Sequence, residues 1–175
     1  MIILSKKDLE TNNAKTREWI ITNGLGGYSS STIINLNTRK YHGLLITSNE
    51  LQRYVALLKV EEIIKLKDDE YNLGVNQYKN KLYPEGNKYL ESFMFNIFPT
   101  FNYKVKNIEI SKSIIMPHNY NAVVIRYLIN SKDNFTLKLR PFVNSRNMHS
   151  LNYNAKFKQI SNNSSAVIKS GNITT

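Results

Sequence analysis

Apolar and polar residues alternate with a period of two through residues 41–47, 53–66, 108–114 and 123–129, and β-branched or aromatic side chains recur in each run. Alternation of that period turns one face of an extended chain toward a core and the other toward water, so each run predicts a strand. Helical spacing of apolar residues is scarce. Trp19, Ile20 and Ile21 predict a further short, buried strand. A sharp turn follows it, because Asn23-Gly24 and Gly26-Gly27 tolerate the positive φ angles that β-branched residues resist. A second apolar stretch covers residues 32–36. Polar turn signals at Asp68-Asp69-Glu70, Glu85-Gly86-Asn87 and His118-Asn119-Tyr120-Asn121 cut the chain into strands at spacings typical of sandwiches. The pattern also predicts a hairpin in which residues 122–129 pair with 135–143 across the polar loop Asn130-Ser131-Lys132-Asp133-Asn134. The fold class is therefore all-β, an antiparallel β-sandwich.

At 175 residues, 41% hydrophobic and 11% aromatic, the chain is long enough to bury one sizeable core and reads as a single domain, residues 1–175. The absence of cysteine removes disulfide and thiolate chemistry and fits a reducing, cytoplasmic compartment. The start, Met-Ile-Ile-Leu-Ser-Lys-Lys, places its apolar residues before its lysines, the reverse of a secretory signal. No run approaches the ~20 apolar residues of a membrane span. A net charge of +11 raises the question of a polyanionic partner. The lysines of residues 107–116 and 135–142 fall at alternating positions, however, and read as the solvated outward face of a sheet. Neither nucleic acid nor membrane is expected as a partner.

The densest chemistry lies in Asn37-Thr38-Arg39-Lys40-Tyr41-His42-Gly43, which gathers an amide, a hydroxyl, a guanidinium, an ammonium, a phenol and an imidazole. Arg39 can donate two parallel hydrogen bonds to vicinal hydroxyls, Tyr41 can stack on an apolar sugar face, and His42 can donate and accept. That set suits a polyhydroxylated ligand. The alternative role is structural, with Arg39 and His42 ordering the edge of the sandwich and Tyr41 in the core. Arg146 and His149 form a second polar pair, open to the same two readings. Trp19 reads as core, with stacking on a glucosyl ring as the alternative.

Other chemistries are poorly served. Glycoside hydrolysis needs two carboxyl groups across the scissile bond, but Glu61 and Glu62 are neighbours on a strand and point to opposite faces. Asp68, Asp69 and Glu70 read as a solvated turn, so no catalytic residue is assigned. Gly24-Leu25-Gly26-Gly27 lacks the Gly-Lys-Ser/Thr ending of a phosphate loop. His42, His118 and His149 lack metal-ligand spacing, and His118 reads as part of a turn between strands.

The run over residues 18–47, EWIITNGLGGYSSSTIINLNTRKYHGLLIT, is followed by a colinear series of further segments. These are Asn76-Gln77-Tyr78, Pro84-Glu85-Gly86, Phe98-Pro99-Thr100-Phe101, Ile115-Met116-Pro117-His118, Val123-Val124-Ile125-Arg126-Tyr127, Leu139-Arg140-Pro141-Phe142 and Ser145-Arg146-Asn147-Met148-His149-Ser150-Leu151. Together they resemble the N-terminal domain of the bacterial and archaeal type of glycogen debranching enzyme. One departure is Asn147, where the family usually has an acidic residue. The resemblance implies a large, many-stranded sandwich of the galactose-mutarotase-like type. In such enzymes it precedes an all-helical barrel, not present in this chain, that carries the catalytic acids of an α-1,6-glucosidase. By that resemblance the chain is a non-catalytic domain, inactive alone and without a cofactor. Its partners would be its own catalytic domain and α-glucan or glycogen, and its substrate-binding candidates Arg39, Tyr41, His42, Arg146 and His149.

After Leu151 the chain turns polar, with Asn162-Asn163-Ser164-Ser165, and stops at Gly171-Asn172-Ile173-Thr174-Thr175. That ending predicts a missing last strand, an exposed sheet edge and a homodimer through it. Two alternative functions remain: an autonomous α-glucan-binding module, and a basic nucleic-acid-binding β protein whose affinity would fall steeply with salt.

Overall fold

The computed structural model describes residues 1–49, 51–79, 81–151, 154, 156–170 and 173–174; Gly171, Asn172 and Thr175 of the predicted open ending lie outside the described residues. In chain order the strands are β1 (Ile2–Ser5), β2 (Glu18–Thr22), β3 (Tyr28–Thr32), β4 (Gly43–Asn49), β5 (Gln52–Leu66), β6 (Asp69–Asn72), β7 (Val75–Tyr78) and β8 (Lys81–Glu85). They continue as β9 (Leu90–Phe95), β10 (Pro99–Val105), β11 (Ile108–Ile115), β12 (Val124–Asn130), β13 (Thr136–Asn147), β14 (Lys158–Ser161), β15 (Ala166–Ser170) and β16 (Ile173–Thr174). Among the described residues helix is confined to single turns, one of them α1 (Thr11–Ala14).

Two antiparallel sheets carry the architecture. The first runs β1-β9-β10-β11-β12, and the second runs β13-β5-β4-β3-β2 with β6 also paired to β5. Smaller sheets, β7-β8 and β14-β15-β16, complete the set. The core fills the space between the two large sheets, as the alternation predicts. Trp19 of the second sheet meets Phe101 of the first edge-on at 6.2 Å, and Phe93 and Tyr103 pack against Phe101. Burial of such rings dominates the apolar contribution to stability. Trp19 is core, as its apolar setting predicts, and its indole Nε1 donates to Thr32 O at 3.1 Å.

The predicted hairpin between residues 122–129 and 135–143 does not form. β12 pairs with β11, whereas β13 crosses to the other sheet and pairs with β5 from Thr136↔Lys65 onward. Both strands present alternate apolar residues to one core, β12 through Ile125 and Tyr127 and β13 through Leu137. Alternation looks the same whether two strands are neighbours in one sheet or face each other across a sandwich.

Two further expectations change. Lys112, read as outward, is 1% exposed and points inward, its Nζ 2.6 Å from Glu62 Oε1. Two consecutive polar residues on β5 put one carboxylate in the core, and Lys112 supplies its countercharge. The second apolar stretch, 32–36, is a buried turn: Asn35 takes φ 61°, and Thr32 Oγ1 donates to Leu36 O at 2.9 Å. The 68–70 turn is tighter than predicted, with Lys67 at φ 56° and β6 already begun at Asp69. His118 does lie between strands, in the link from β11 to β12.

Candidate functional site

Ten residues connect β3 to β4, and their polar side chains first fix the connection to the sheet. Ser31 Oγ donates to Asn37 Oδ1 at 2.7 Å, and Asn37 Nδ2 donates to Leu58 O at 3.2 Å. The connection then closes on itself, with His42 N donating to Arg39 O at 3.1 Å and Thr38 N donating to His42 Nδ1 at 3.1 Å. Because Nδ1 accepts, neutral His42 carries its proton on Nε2. Nε2 faces Glu18 Oε1 at 3.4 Å, too far for a full hydrogen bond. Burial holds the imidazole below its ordinary pKa, against the opposing pull of Glu18. His42 is 2% exposed, so its ring is part of the loop's interior.

Arg39 shares the same carboxylate, its Nε 2.6 Å from Glu18 Oε1, but its side chain is 63% exposed. Tyr41 is half-buried, and its carbonyl accepts from Tyr28 Oη at 2.9 Å. The phenol thus projects from a backbone held at a known place.

The second sequence pair arrives at the same spot. Lys40 Nζ donates to His149 O at 2.9 Å, and the Tyr41 and His149 rings meet edge-on at 5.7 Å. Tyr41 Oη and His149 Nδ1 lie 3.4 Å apart, and Lys40 Nζ sits 5.2 Å from the centre of the Tyr41 ring. Arg146 is the fastener. Its guanidinium donates to Lys40 O from one branch, and to Met148 O at 3.2 Å and Ser150 O at 3.1 Å from the other. It is 6% exposed. Asn147 Oδ1 accepts from His149 N at 2.9 Å, so the amide that stands in for an acid still orders the turn.

The five sequence candidates therefore converge from two chain segments about a hundred residues apart. Arg39, Tyr41 and His149 have open surface, with Lys40 beside them; His42 and Arg146 are buried supports. Sequence reasoning named the residues but not their union. It also passed over Glu18, whose carboxylate joins Arg39 to His42.

The carboxylates weighed for hydrolysis point to opposite faces of β5, as their adjacency requires. Glu62 lies between the sheets with Lys112 and accepts from Tyr127 Oη at 2.5 Å. Glu61 lies on the other face, where Asn76 Nδ2 donates to it at 2.5 Å and Lys59 Nζ stands 3.7 Å away. Both are 2% exposed, so neither reaches a substrate. Among the described residues, no three His, Cys, Asp or Glu gather as a metal site. Among the described residues no helix is long and apolar enough to cross a membrane.

No curated protein and no solved structure matches the chain. The family described as glycogen debranching enzyme N terminal matches residues 17–174, from just before β2 through β16. Both the all-β sandwich and the colinear motifs agree with that match, which spans far more than half of the sequence, and the chain belongs to the glycogen debranching enzyme N-terminal domain family.

Proposed function

We propose that this chain is the non-catalytic N-terminal domain of an enzyme that removes α-1,6 branches from glycogen, that it packs on a helical catalytic domain in the cytoplasm, and that it shapes the entrance for the glucan. The observation that carries the reading is the union of the 39–42 turn with the 146–149 turn into one exposed aromatic and basic surface. Tyr41 and His149 offer ring edges and faces to the apolar side of a pyranose, and Arg39 and Lys40 offer donors to its hydroxyls. His42 and Arg146 serve the same surface by holding it in place.

Calorimetry with maltooligosaccharides and a short DNA, at low and high salt, tests the ligand class. A neutral glucan binds with little salt dependence, whereas a polyanion releases counterions and weakens steeply with added salt. Tyr41→Ala in the complete debranching enzyme is expected to reduce debranching about tenfold, the loss of one ring's stacking on a sugar, with the melting temperature lowered only by the lost contacts to His149 and Lys40. Full activity in that variant would leave the surface a packing element only. The exposure of Tyr41 and His149 in this chain also favours a second reading, an autonomous α-glucan-binding module, which calorimetry on the chain alone separates from the first.

A further inference from the structure

The outer face of the first sheet holds a trough of about 310 Å³, away from the Arg39 surface on the second sheet. Two rows of side chains build it. Asn102, Ser111 and Leu128 stand side by side across β10, β11 and β12, and Lys104, Glu109 and Asn130 form the next row.

An irregularity of the sheet adds a carboxylate. Asn102 is opposite Ser92 while Tyr103 is opposite Leu90, so Glu91 is an extra residue in β9. Such a bulge re-aims side chains. Here Leu90 is fully buried in the core, and Glu91 and Ser92 both fall on the outer side, with Glu91 lining the trough. Regular alternation would have turned Glu91 into the core.

The charges balance locally. Glu91 is paired with Lys6 at 2.5 Å, and Glu109 with Lys104 at 3.3 Å. On a chain of net charge +11, the trough is therefore close to neutral. It presents paired carboxylates, two amides and the Ser111 hydroxyl beside one bare apolar wall, Leu128, which is 70% exposed. Hydroxyl-rich molecules with an apolar ring face match that combination, whereas anions and wholly apolar ligands do not. The volume lies at the lower end of the ~300–1,000 Å³ common for small-molecule sites.

We propose that this trough is a second saccharide site, which takes one or two neutral pyranose units with the ring face on Leu128 and hydroxyls on Glu91, Asn102, Ser111 and Asn130. The ligand class rests on the function proposed above; the site itself does not share residues with it.

The test is amide-shift mapping by NMR of the full chain titrated with maltopentaose at millimolar concentration, repeated with Leu128→Ser, Asn130→Ala and Tyr41→Ala. Positions 128 and 130 are exposed, so these variants keep the fold, as an unchanged melting temperature verifies. The expected result is a set of shifts at 91, 102, 111, 128 and 130 that survives Tyr41→Ala and weakens about tenfold with Asn130→Ala, the loss of one hydrogen bond. Leu128→Ser weakens the same set. Shifts confined to residues 39–42 and 146–149 overturn the trough and keep the Arg39 surface. Shifts confined to the trough keep it and overturn glucan contact at Tyr41. Silence at both overturns both.

Discussion

Glu62 and Lys112 face each other between the sheets with 2% and 1% exposure, and Tyr127 donates to the carboxylate. Burial raises the phenol pKa of Tyr127, and the neighbouring carboxylate raises it further, so the phenol stays a donor. Taking one charge away leaves the other without its countercharge in a dry interior. Lys112→Met is therefore expected to lower unfolding stability by about 3–5 kcal/mol. Replacing the whole set, with Glu62→Leu and Tyr127→Phe added, should recover most of that loss, because no buried polar group is then stranded. Urea unfolding of the single and triple variants checks it; an equal loss in both would mean that packing, not charge, sets the cost. On the opposite face of β5, Lys59 donates to Val75 O and Asn76 Oδ1, and burial pushes its ammonium down to about 8 from 10.5. Glu61 and Glu62 oppose that fall and Lys112 reinforces it. A lysine whose folded pKa lies below its unfolded value binds fewer protons when folded. Stability then rises with pH between 8 and 10.5 and is lower below 8. Over the full window the gain is on the order of 3 kcal/mol. Buried Tyr103 and Tyr127 act in the opposite direction above their ordinary 10, so the clean interval is pH 8 to 10. Lys59→Met should flatten the stability–pH curve there, measured by urea midpoints at fixed ionic strength.

The elements depend on a few contacts that bind one segment to another. Arg146, near the end of β13, holds the β3–β4 connection by the Lys40 carbonyl and its own turn by those of Met148 and Ser150. Arg146→Ala should destabilise by about 3 kcal/mol, since several carbonyls lose a charged donor. Arg146→Lys should restore little, because an ammonium cannot fork across two segments; urea midpoints of the two variants decide. Gly86 shows a different constraint. A Cβ there would stand 2.1 Å from the Leu73 backbone carbonyl carbon, while its N–H donates to Gly74 O at 2.8 Å. Gly86→Ala must push β8 off that backbone and is expected to cost at least about 2 kcal/mol by the same assay. These contacts explain what was legible in the sequence. Alternation disclosed β4, β5, β11 and β12, and Asn23, Gly24 and Gly26 disclosed the first turn, where both glycines do take positive φ. The motif at 37–43 and the pair at 146 and 149 were visible as chemistry. Their meeting was not, because it depends on β13 pairing with β5, and the local pattern of β13 is equally satisfied by a hairpin with β12. Lys112 misled for a related reason: only the partner sheet reveals the carboxylate that allows a lysine inside.

Whole-molecule behaviour is set at the outermost strands of the two sheets, β1 and β12 of the first and β2 and β13 of the second. An edge strand offers unpaired backbone groups, and proteins blunt it with charge, proline or a bulge. β13 is guarded, with Lys138, Arg140 and Pro141 along its exposed middle and register shifts further on. Arg126 interrupts β12, and β2 begins at Glu18 beside Arg17. β1 has none of these devices. Met1, Ile2 and Ile3 are 84%, 56% and 57% exposed, and no charged side chain appears before Lys6. Beside it a mainly apolar slot of about 410 Å³, lined by Ile2, Leu4, Trp19, Ile20, Phe93 and Phe95 together with Arg17 and Glu18, runs between β1 and β2. An antiparallel partner on β1 would extend the first sheet and narrow the opening of that slot, so apolar burial adds to the backbone hydrogen bonds. Self-association is accordingly expected through β1, as a concentration-dependent dimer in sedimentation velocity. Ile3 alternates with Ile2 and Leu4 and faces away from the slot, so Ile3→Lys places a charge on the edge without entering the core. It should shift the population to monomer, whereas Leu139→Lys on β13 should leave the dimer intact. A chain that stays monomeric at every concentration, or a dimer equally strong with Ile3→Lys, would show that β1 is not the joining edge.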